Sequence, residues 1–492
     1  MNIKDKNRWV KKFVAAILAA LMCTGAFTGC ALQNSAQQTG ALYSQDLVNF
    51  KANVFDIETG ESQDVRFTVE SKSGNSLSAV NLYNDETVLG EMKDDGQNGD
   101  YIANDGIYTC TVTLSQPNRC AVDYYAGYDG MKSNTFTIAF YTLFTEEEYE
   151  GFLETSETVD ECSDYNSAYQ LISSSDEITG FEADENSQTI TYITESGITG
   201  IWDVPVKEDT KGDRRNPDEI SIPAEDEKYG NILNDVDSLN VSAIGSKKSV
   251  LVLRPFRNDG FEYDDFLYAG ATLAKASNGT VDVYDDSQAD LDMFKSFEDY
   301  GIVLVDSHGA LNYEQSYIVT GERLDSSNFQ SCSADLTAGR IVIGGGKCYI
   351  NSKFFDKYYA TNSLDDTTVF LGSCYSAYND SFGNALINKG SPLVLGYSDA
   401  VYVWYCNDTL KSFLIDNMLF GGQEASSAFS NTVTECGESD GAAEFVMFKN
   451  GNDVRLFDLN TESVGGAITS FSVPENMDIG LGEAGVIEPD II

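Results

Sequence analysis

The chain has little positive charge, little proline and almost no histidine. Its 492 residues hold 31 Lys and Arg against 78 Asp and Glu, with 8 Pro, 3 Trp and a single His, His308. One histidine excludes every multi-histidine metal site, so neither an HExxH helix nor a two-histidine facial triad can be built. Imidazole catalysis has one possible donor. A formal net charge of −47 argues against nucleic acid as a partner, because so acidic a chain repels polyanions unless a basic patch is set apart. The basic cluster that stands out lies in the first twelve residues. No two of the ten cysteines form Cys-X-X-Cys, which speaks against a structural zinc site. What is present is the composition of a folded chain: 42% hydrophobic and 12% aromatic residues, with length for roughly two to four domains.

Lys4, Lys6, Arg8, Lys11 and Lys12 precede the apolar run Phe13 to Met22, which is too short for a comfortable membrane span. Phe27-Thr28-Gly29-Cys30 follows and resembles the bacterial lipobox, with Phe27 where Leu is usual. The resemblance implies a signal peptide over 1–29, cleavage before Cys30 and lipidation of its sulfur. The mature chain would then be anchored on the extracytoplasmic face of a bacterial membrane, with 30–49 as a polar tether. A plain secretory peptide with an incidental Cys30 is the alternative. Loss of residues 1–29 removes five bases and one acid, leaving 26 against 77 and a net charge of −51. Eight further cysteines remain, and in an exported chain Cys110/Cys120 or Cys332/Cys348 could each bridge neighbouring strands; sequence does not fix the pairing.

Residues 50–144 read as an all-β domain, a β-sandwich. Short alternating runs at Val65–Val69, Ala79–Tyr83, Tyr108–Leu114 and Thr135–Tyr141 sit between Gly, Asn and Asp turns. Between them stand Asp94, Asp95, Asn98, Asp100 and Asp105, interleaved with glycines. The pattern resembles a loop recurrent in immunoglobulin-like (Ig-like) domains of secreted bacterial proteins. These oxygens could wrap a structural Ca²⁺, although no bidentate Glu stands at the twelfth position as in an EF-hand; the alternative is a set of Asp-Gly turns capping hairpins. Residues 145–246 read as a β-rich connecting region and linker. It carries Lys211, Arg214 and Arg215, which would suit a trypsin-like nick or equally a solvated loop.

From Lys247 the texture becomes α/β. Val250–Leu253 is a continuous apolar run, as a buried parallel strand demands. A helix is expected over Asp264–Ala276 and a strand over Thr280–Tyr284, and a second helix is expected to hold Leu291, Phe294 and Phe297. Gly301–Val305 runs into Asp306-Ser307-His308-Gly309, and Thr368–Leu371 into Gly372-Ser373-Cys374-Tyr375-Ser376. A helix over Ser381–Asn388 and a strand over Pro392–Gly396 follow. The alternation predicts a mainly parallel sheet with right-handed crossovers, whose chemistry lies beyond the carboxyl ends of its strands. His308 and Cys374 both fall there. An imidazole beside a thiol raises its thiolate population and can protonate a departing amine. The N–H groups of Gly309 and Cys374 could face the developing oxyanion. A buried structural cysteine and a histidine in a turn are the plain alternative.

Strand-His-Gly followed by strand-small-Cys resembles the signature of the caspase-like cysteine peptidases, the clan of caspases, legumains, gingipains and clostripains. The chain is most similar to the gingipain- and clostripain-like members, over about Lys247 to Val433. The resemblance implies a caspase-like domain over 247–435, His308 as general base and acid, Cys374 as nucleophile and no required cofactor. It also implies a peptide or protein substrate. In basic-specific relatives an acid after the catalytic Cys lines the S1 pocket, and Asp399 falls in that region, where it would pair with a P1 Arg or Lys. The His-to-Cys interval should hold a β excursion at Tyr317–Val319 and Arg340–Ile343 and a helix at Ile350–Tyr359. Residues 436–492 are expected to finish the sheet or to form a small C-terminal β segment. A catalytically inactive caspase-like surface lipoprotein acting as a binding or adhesion module is the competing reading.

Overall fold

The computed structural model describes residues 47–72, 77–203, 241–243, 245–258 and 264–459. The expected signal peptide, Cys30, most of the expected tether, and Lys211, Arg214 and Arg215 lie outside the described residues. The described chain is a multi-sheet assembly of strands and helices.

The N-terminal unit comprises β1 (Leu47–Ala52), β2 (Asp56–Glu58), β3 (Gln63–Ser71), β4 (Asn81–Asn84), β5 (Thr87–Glu91), β6 (Ile107–Leu114), β7 (Cys120–Tyr128), β8 (Met131–Lys132) and β9 (Phe136–Tyr141). One sheet runs β1-β3-β6 and the other β2-β9-β7-β4-β5. In β3 the residues Val65, Phe67 and Val69 are buried while Arg66, Thr68 and Glu70 face outward, the period-2 pattern of a half-buried strand. These residues meet Leu82, Tyr124, Ala126, Ile138 and Phe140 of the other sheet in a common core.

Two helices follow, α1 (Glu146–Asp160) and α2 (Tyr165–Ser174), both opened by a capping box, with Thr145 and Asp164 as N-caps. The strands β10 (Ile178–Asp184), β11 (Thr189–Thr194) and β12 (Thr199–Trp202) come next, then the short β13 (Val241–Ala243) and β14 (Val250–Arg254). After β14 come α3 (Asp265–Ala276), β15 (Val281–Asp285), the single-turn α4 (Leu291–Phe294) and β16 (Ile302–Asp306). An excursion follows: β17 (Gly309–Asn312), β18 (Gln315–Val319), α5 (Ser333–Thr337), β19 (Ile341–Gly344), β20 (Lys347–Ile350) and α6 (Ser352–Tyr358). The chain ends with β21 (Thr368–Gly372), α7 (Ser381–Asn388), β22 (Leu393–Tyr397), α8 (Val403–Leu410), a π-helix over Lys411–Phe420, α9 (Ala425–Cys436), β23 (Phe445–Lys449) and β24 (Phe457–Leu459).

The central sheet has the order β15-β14-β16-β21-β22-β23. Its first five strands are parallel and β23 closes the edge antiparallel. Every residue of β14, β16, β21 and β22 is buried, as both faces are covered by helices or by the second sheet. Val250, Val252, Leu304 and Phe370 pack toward α3, α8 and α9. Leu251, Val303, Val305 and Leu371 pack toward α6 and α7.

Three features differ from the sequence-based expectation. The excursion joins β10–β12 in one seven-stranded sheet, β10-β11-β12-β19-β20-β18-β17, so Ile178–Trp202 share a sheet with the region beyond 247 instead of forming a separate connecting region. The helix expected through Phe297 is only α4 plus a 3-10 turn at Phe297–Asp299. Asp290 caps Asp292 and Met293, but the Lys295 N–H already turns back to the Asp292 carbonyl, which ends the α-helical ladder. Leu291, Phe294 and Phe297 are nevertheless all buried. The eight described cysteines are free thiols; Cys110 and Cys120 stand on β6 and β7, in different sheets. Among the described residues no helix is long and apolar enough to cross a membrane.

Candidate functional site

The strands β16 and β21 are hydrogen-bonded neighbours in parallel register, with Asp306 opposite Gly372. The Ser307 N–H continues the ladder to the Gly372 carbonyl at 3.0 Å. His308 and Cys374 each lie two residues beyond that matched pair, on strands spaced about 4.8 Å apart. Gly309 closes the approach: a Cβ there would stand 2.0 Å from the Cys374 carbonyl oxygen and 3.2 Å from its nitrogen. Only glycine fits so close to another backbone. The structure therefore brings the His308–Gly309 turn against the backbone of Cys374 at the carboxyl end of the sheet.

His308 is held by its surroundings. Its ring meets Phe256 edge-on with centroids 4.3 Å apart, and Lys347 Nζ lies 3.5 Å from the same Phe256 ring. Burial and then the Lys347 charge push the imidazole down to about 3, so it is neutral at physiological pH. The His308 carbonyl accepts from the Val319 N–H at 3.1 Å, and Ser307 Oγ donates to the Val319 carbonyl at 2.6 Å. These bonds tie the histidine turn to β18.

Cys374 is 1% exposed. The Val401 N–H donates to its Sγ at 3.3 Å. Burial pushes the thiol up to about 12, with the Val401 N–H opposing and the Asp399 and Asp440 charges adding to the rise. The next residue, Tyr375, has φ of +57°, a left-handed turn that swings the chain off the strand. The Tyr375 N–H then donates to the Asp399 carbonyl at 3.0 Å. Asp399 is thus placed beside the cysteine turn, with its carboxylate exposed and accepting the Ala400 N–H at 2.7 Å.

The acidic loop of the N-terminal unit is only partly assembled as a ligand set. Carboxylate oxygens of Asp94, Asp100 and Asp105 lie within 4.8 Å of one another, and the Asp95 carboxylate is not part of that group. Asp94 accepts the Asp105 and Gly106 N–H groups at 3.2 and 2.9 Å, and Asp100 accepts those of Gly96 and Ile102 at 2.6 and 3.2 Å. These are the bonds of Asp-capped turns.

Three residues near His308 and Cys374 were missed by sequence reasoning. Phe256 lies two positions past β14, at the same carboxyl end of the sheet, and the rule that sites gather there would have found it. Lys347 and Val401 carry no local signal; only the tertiary fold brings them in.

No protein-family model matches the chain, and no curated protein matches it. Among solved structures, the SrpA adhesin from Streptococcus sanguinis aligns at 14% identity over 32% of this chain and 90% of its own, with a TM-score of 0.14. A mutant of the same adhesin aligns at 13% identity over 32% and 94%, also at 0.14. These superpositions are too loose to mark a shared fold.

Proposed function

We propose that the chain is a cell-surface cysteine endopeptidase of the caspase-like type, carried by an Ig-like domain and a lipid anchor, that cleaves peptides after Arg or Lys. The observation that carries this reading is the contact of Gly309 with the Cys374 backbone, on adjacent parallel strands that end in the chain's only histidine and a cysteine. Both groups rest neutral, so the proposed attack is general-base rather than by a standing thiolate, and it requires that bound substrate raise the imidazole and lower the thiol toward each other. As Sγ bonds to the scissile carbonyl carbon, its proton passes to the His308 imidazole, and the carbonyl π electrons move to oxygen. The imidazolium returns that proton to the departing amine as the C–N bond breaks, leaving a thioester. Water, deprotonated by His308, then releases the acid and restores the thiol. The N–H groups of Gly309 and Cys374 are the candidates for the oxyanion. Asp399, exposed beside the cysteine turn, would receive the basic P1 side chain. Cleavage of an Arg/Lys peptide library by the wild-type chain and its loss in Cys374→Ala test the reading; equal activity in the variant overturns it.

The burial of Cys374 and its strongly raised pKa favour a second reading: an inactive caspase-like surface protein that binds rather than cleaves. A wild-type chain that neither cleaves the library nor reacts with a peptidyl ketone would establish it.

A further inference from the structure

A stretch of irregular chain closes over Cys374. Residues 398–401 join β22 to α8 and belong to no helix or strand. The last of them, Val401, lies against the sulfur. Its N–H donates to Sγ at 3.3 Å, and the thiol points back to the Val401 carbonyl oxygen at 3.9 Å. The next residue is held from the other side. Asp440 Oδ2 accepts the Tyr402 N–H at 2.8 Å, while Oδ1 accepts those of Ala442 and Ala443 at 3.0 and 2.9 Å. We propose that 398–402 form an autoinhibitory strap, latched by Asp440, that shuts in the Cys374 thiol of the resting chain and is displaced by substrate.

A reacting carbonyl carbon must come within about 3–3.5 Å of the sulfur. Cys374 is 1% exposed and Val401 0%, so no peptide approaches until covering chain moves. The ends of the strap are fixed. The Ser398 N–H donates to the Glu444 carbonyl at 3.1 Å, and Ser398 Oγ accepts the Glu444 N–H at 2.9 Å. At the other end the Tyr402 carbonyl accepts the Tyr405 and Cys406 N–H groups at 3.1 and 3.0 Å, as the start of α8. Between these ends, lifting the strap breaks the Val401 bond to sulfur, the Tyr375 bond to the Asp399 carbonyl and the Tyr402 bond to Asp440. Only the last is to a carboxylate, and bonds of that kind are the strong ones. No ladder between strands has to open, and such segments move with less free energy than core strands.

Opening also prepares the chemistry. A lifted strap removes the burial that raises the thiol, so exposure and easier deprotonation come together. A ligand shifts such an equilibrium only through its different affinity for the two states. A peptide meets that condition, because it reaches Sγ in the open state alone.

The regulatory role rests on the peptidase reading, but the strap is tested without turnover. Iodoacetamide labelling of the full chain is followed by peptide mass spectrometry, which reports each cysteine separately. Tyr402→Pro removes the latch donor and leaves the Asp399 and Asp440 charges in place; the φ of −77° at Tyr402 suits proline. Asp440→Ala removes the acceptor. Both variants should label Cys374 at least ten-fold faster than wild type at the same pH. Cys348 and Cys406, both 0% exposed, should stay unlabelled. Wild-type rates in the folded variants overturn the proposal. So does acceleration in Asp440→Ala alone, which reports the loss of a charge that raises the thiol, and so does parallel labelling of all three cysteines, which reports unfolding. A further measurement needs no substitution: in wild type the Val401 amide, relative to its unfolded rate, should exchange with deuterium at least ten-fold faster than the Leu395 amide of β22. Equal protection overturns the strap even if neither variant folds. Library cleavage is scored separately. A strap that opens as stated in a chain that cuts no peptide counts against the peptidase reading alone, and cleavage by a chain whose Cys374 labelling and Val401 exchange fail these tests counts against the strap alone.

Discussion

Gly309 faces the backbone of Cys374 so closely that a single methyl group at its Cα would stand 2.0 Å from the Cys374 carbonyl oxygen. Side-chain flexibility cannot relieve that contact, because the opposing atoms are main chain. Gly309→Ala must therefore push the histidine turn away from the cysteine turn. Overpacking of this kind costs about 1–3 kcal/mol, which should lower the urea midpoint, while any peptidase activity should fall far more than stability. An alanine variant with wild-type stability and activity would mean that the two turns are not in contact.

The buried Cys374 thiol separates two kinds of reagent. With its pKa pushed up to about 12 by burial, the thiolate is scarce at pH 7, and iodoacetamide should label Cys374 at least about a thousand-fold more slowly than a cysteine of ordinary pKa near 8.5. On the proposed mechanism, a peptidyl acyloxymethyl ketone with Arg at P1 should still label it, because attack would occur inside a bound complex with His308 as base. The raised pKa also has a sign for stability. The folded state holds this proton more tightly than the unfolded chain does, so the contribution is complete below about pH 9 and is lost as pH rises toward 12. Fast iodoacetamide labelling of the folded chain at pH 7 would contradict the closed site.

Much of the central sheet was legible in sequence because its strands are buried on both faces and read as unbroken apolar runs, as in Val250–Leu253 and Thr368–Leu371. Their carboxyl ends then pointed to His308 and Cys374. The pairing of β12 with β19 was not legible. A single parallel match, Gly200 with Ile343, joins segments 143 positions apart, and no local pattern encodes such a contact. The state of the thiol was hidden for the same reason, since Val401 reaches Sγ only once β22 and α8 are packed.

Arg340 joins the two halves of the molecule. It is 1% exposed, its Nε donates to Asp335 at 2.6 Å and its Nη2 to Asp56 on β2, while Lys357 Nζ lies 2.9 Å from both acids. Burial would raise Asp335, but the Arg340 and Lys357 charges outweigh it and hold the carboxyl below its ordinary value. Its contribution is therefore present above about pH 4 and lost as pH falls further. Arg340→Met leaves Asp335 buried with less compensation and should cost about 3–5 kcal/mol. Limited proteolysis should then release the N-terminal β unit sooner than in wild type. An unchanged denaturation midpoint would refute the coupling.

Asp399 offers a milder substitution. Its carboxylate is exposed, so Asp399→Ala should leave stability within about 0.5 kcal/mol. Loss of a charge-assisted bond to a P1 side chain, about 1.5–3 kcal/mol, should reduce kcat/KM for Arg and Lys substrates roughly ten- to hundred-fold and spare substrates with neutral P1 residues. A uniform fall across all P1 residues would assign Asp399 to the fold of the cysteine turn instead.

Because the chain has one histidine, its imidazole gives a single set of nitrogen-coupled NMR signals with no assignment problem. Burial, and secondarily Lys347, depress His308 to about 3 from an ordinary value of 6.5. The unfolded chain thus takes up this proton before the folded one, and the stability His308 contributes above pH 6.5 is lost as pH falls toward 3. The signals of the folded protein should stay those of neutral imidazole down to at least pH 5. Lys347→Met should raise the midpoint, since it removes the repelling charge while leaving the burial in place. A midpoint at or above 6.5 in wild type would mean that the imidazole is not held neutral by burial and Lys347, which would contradict the closed site.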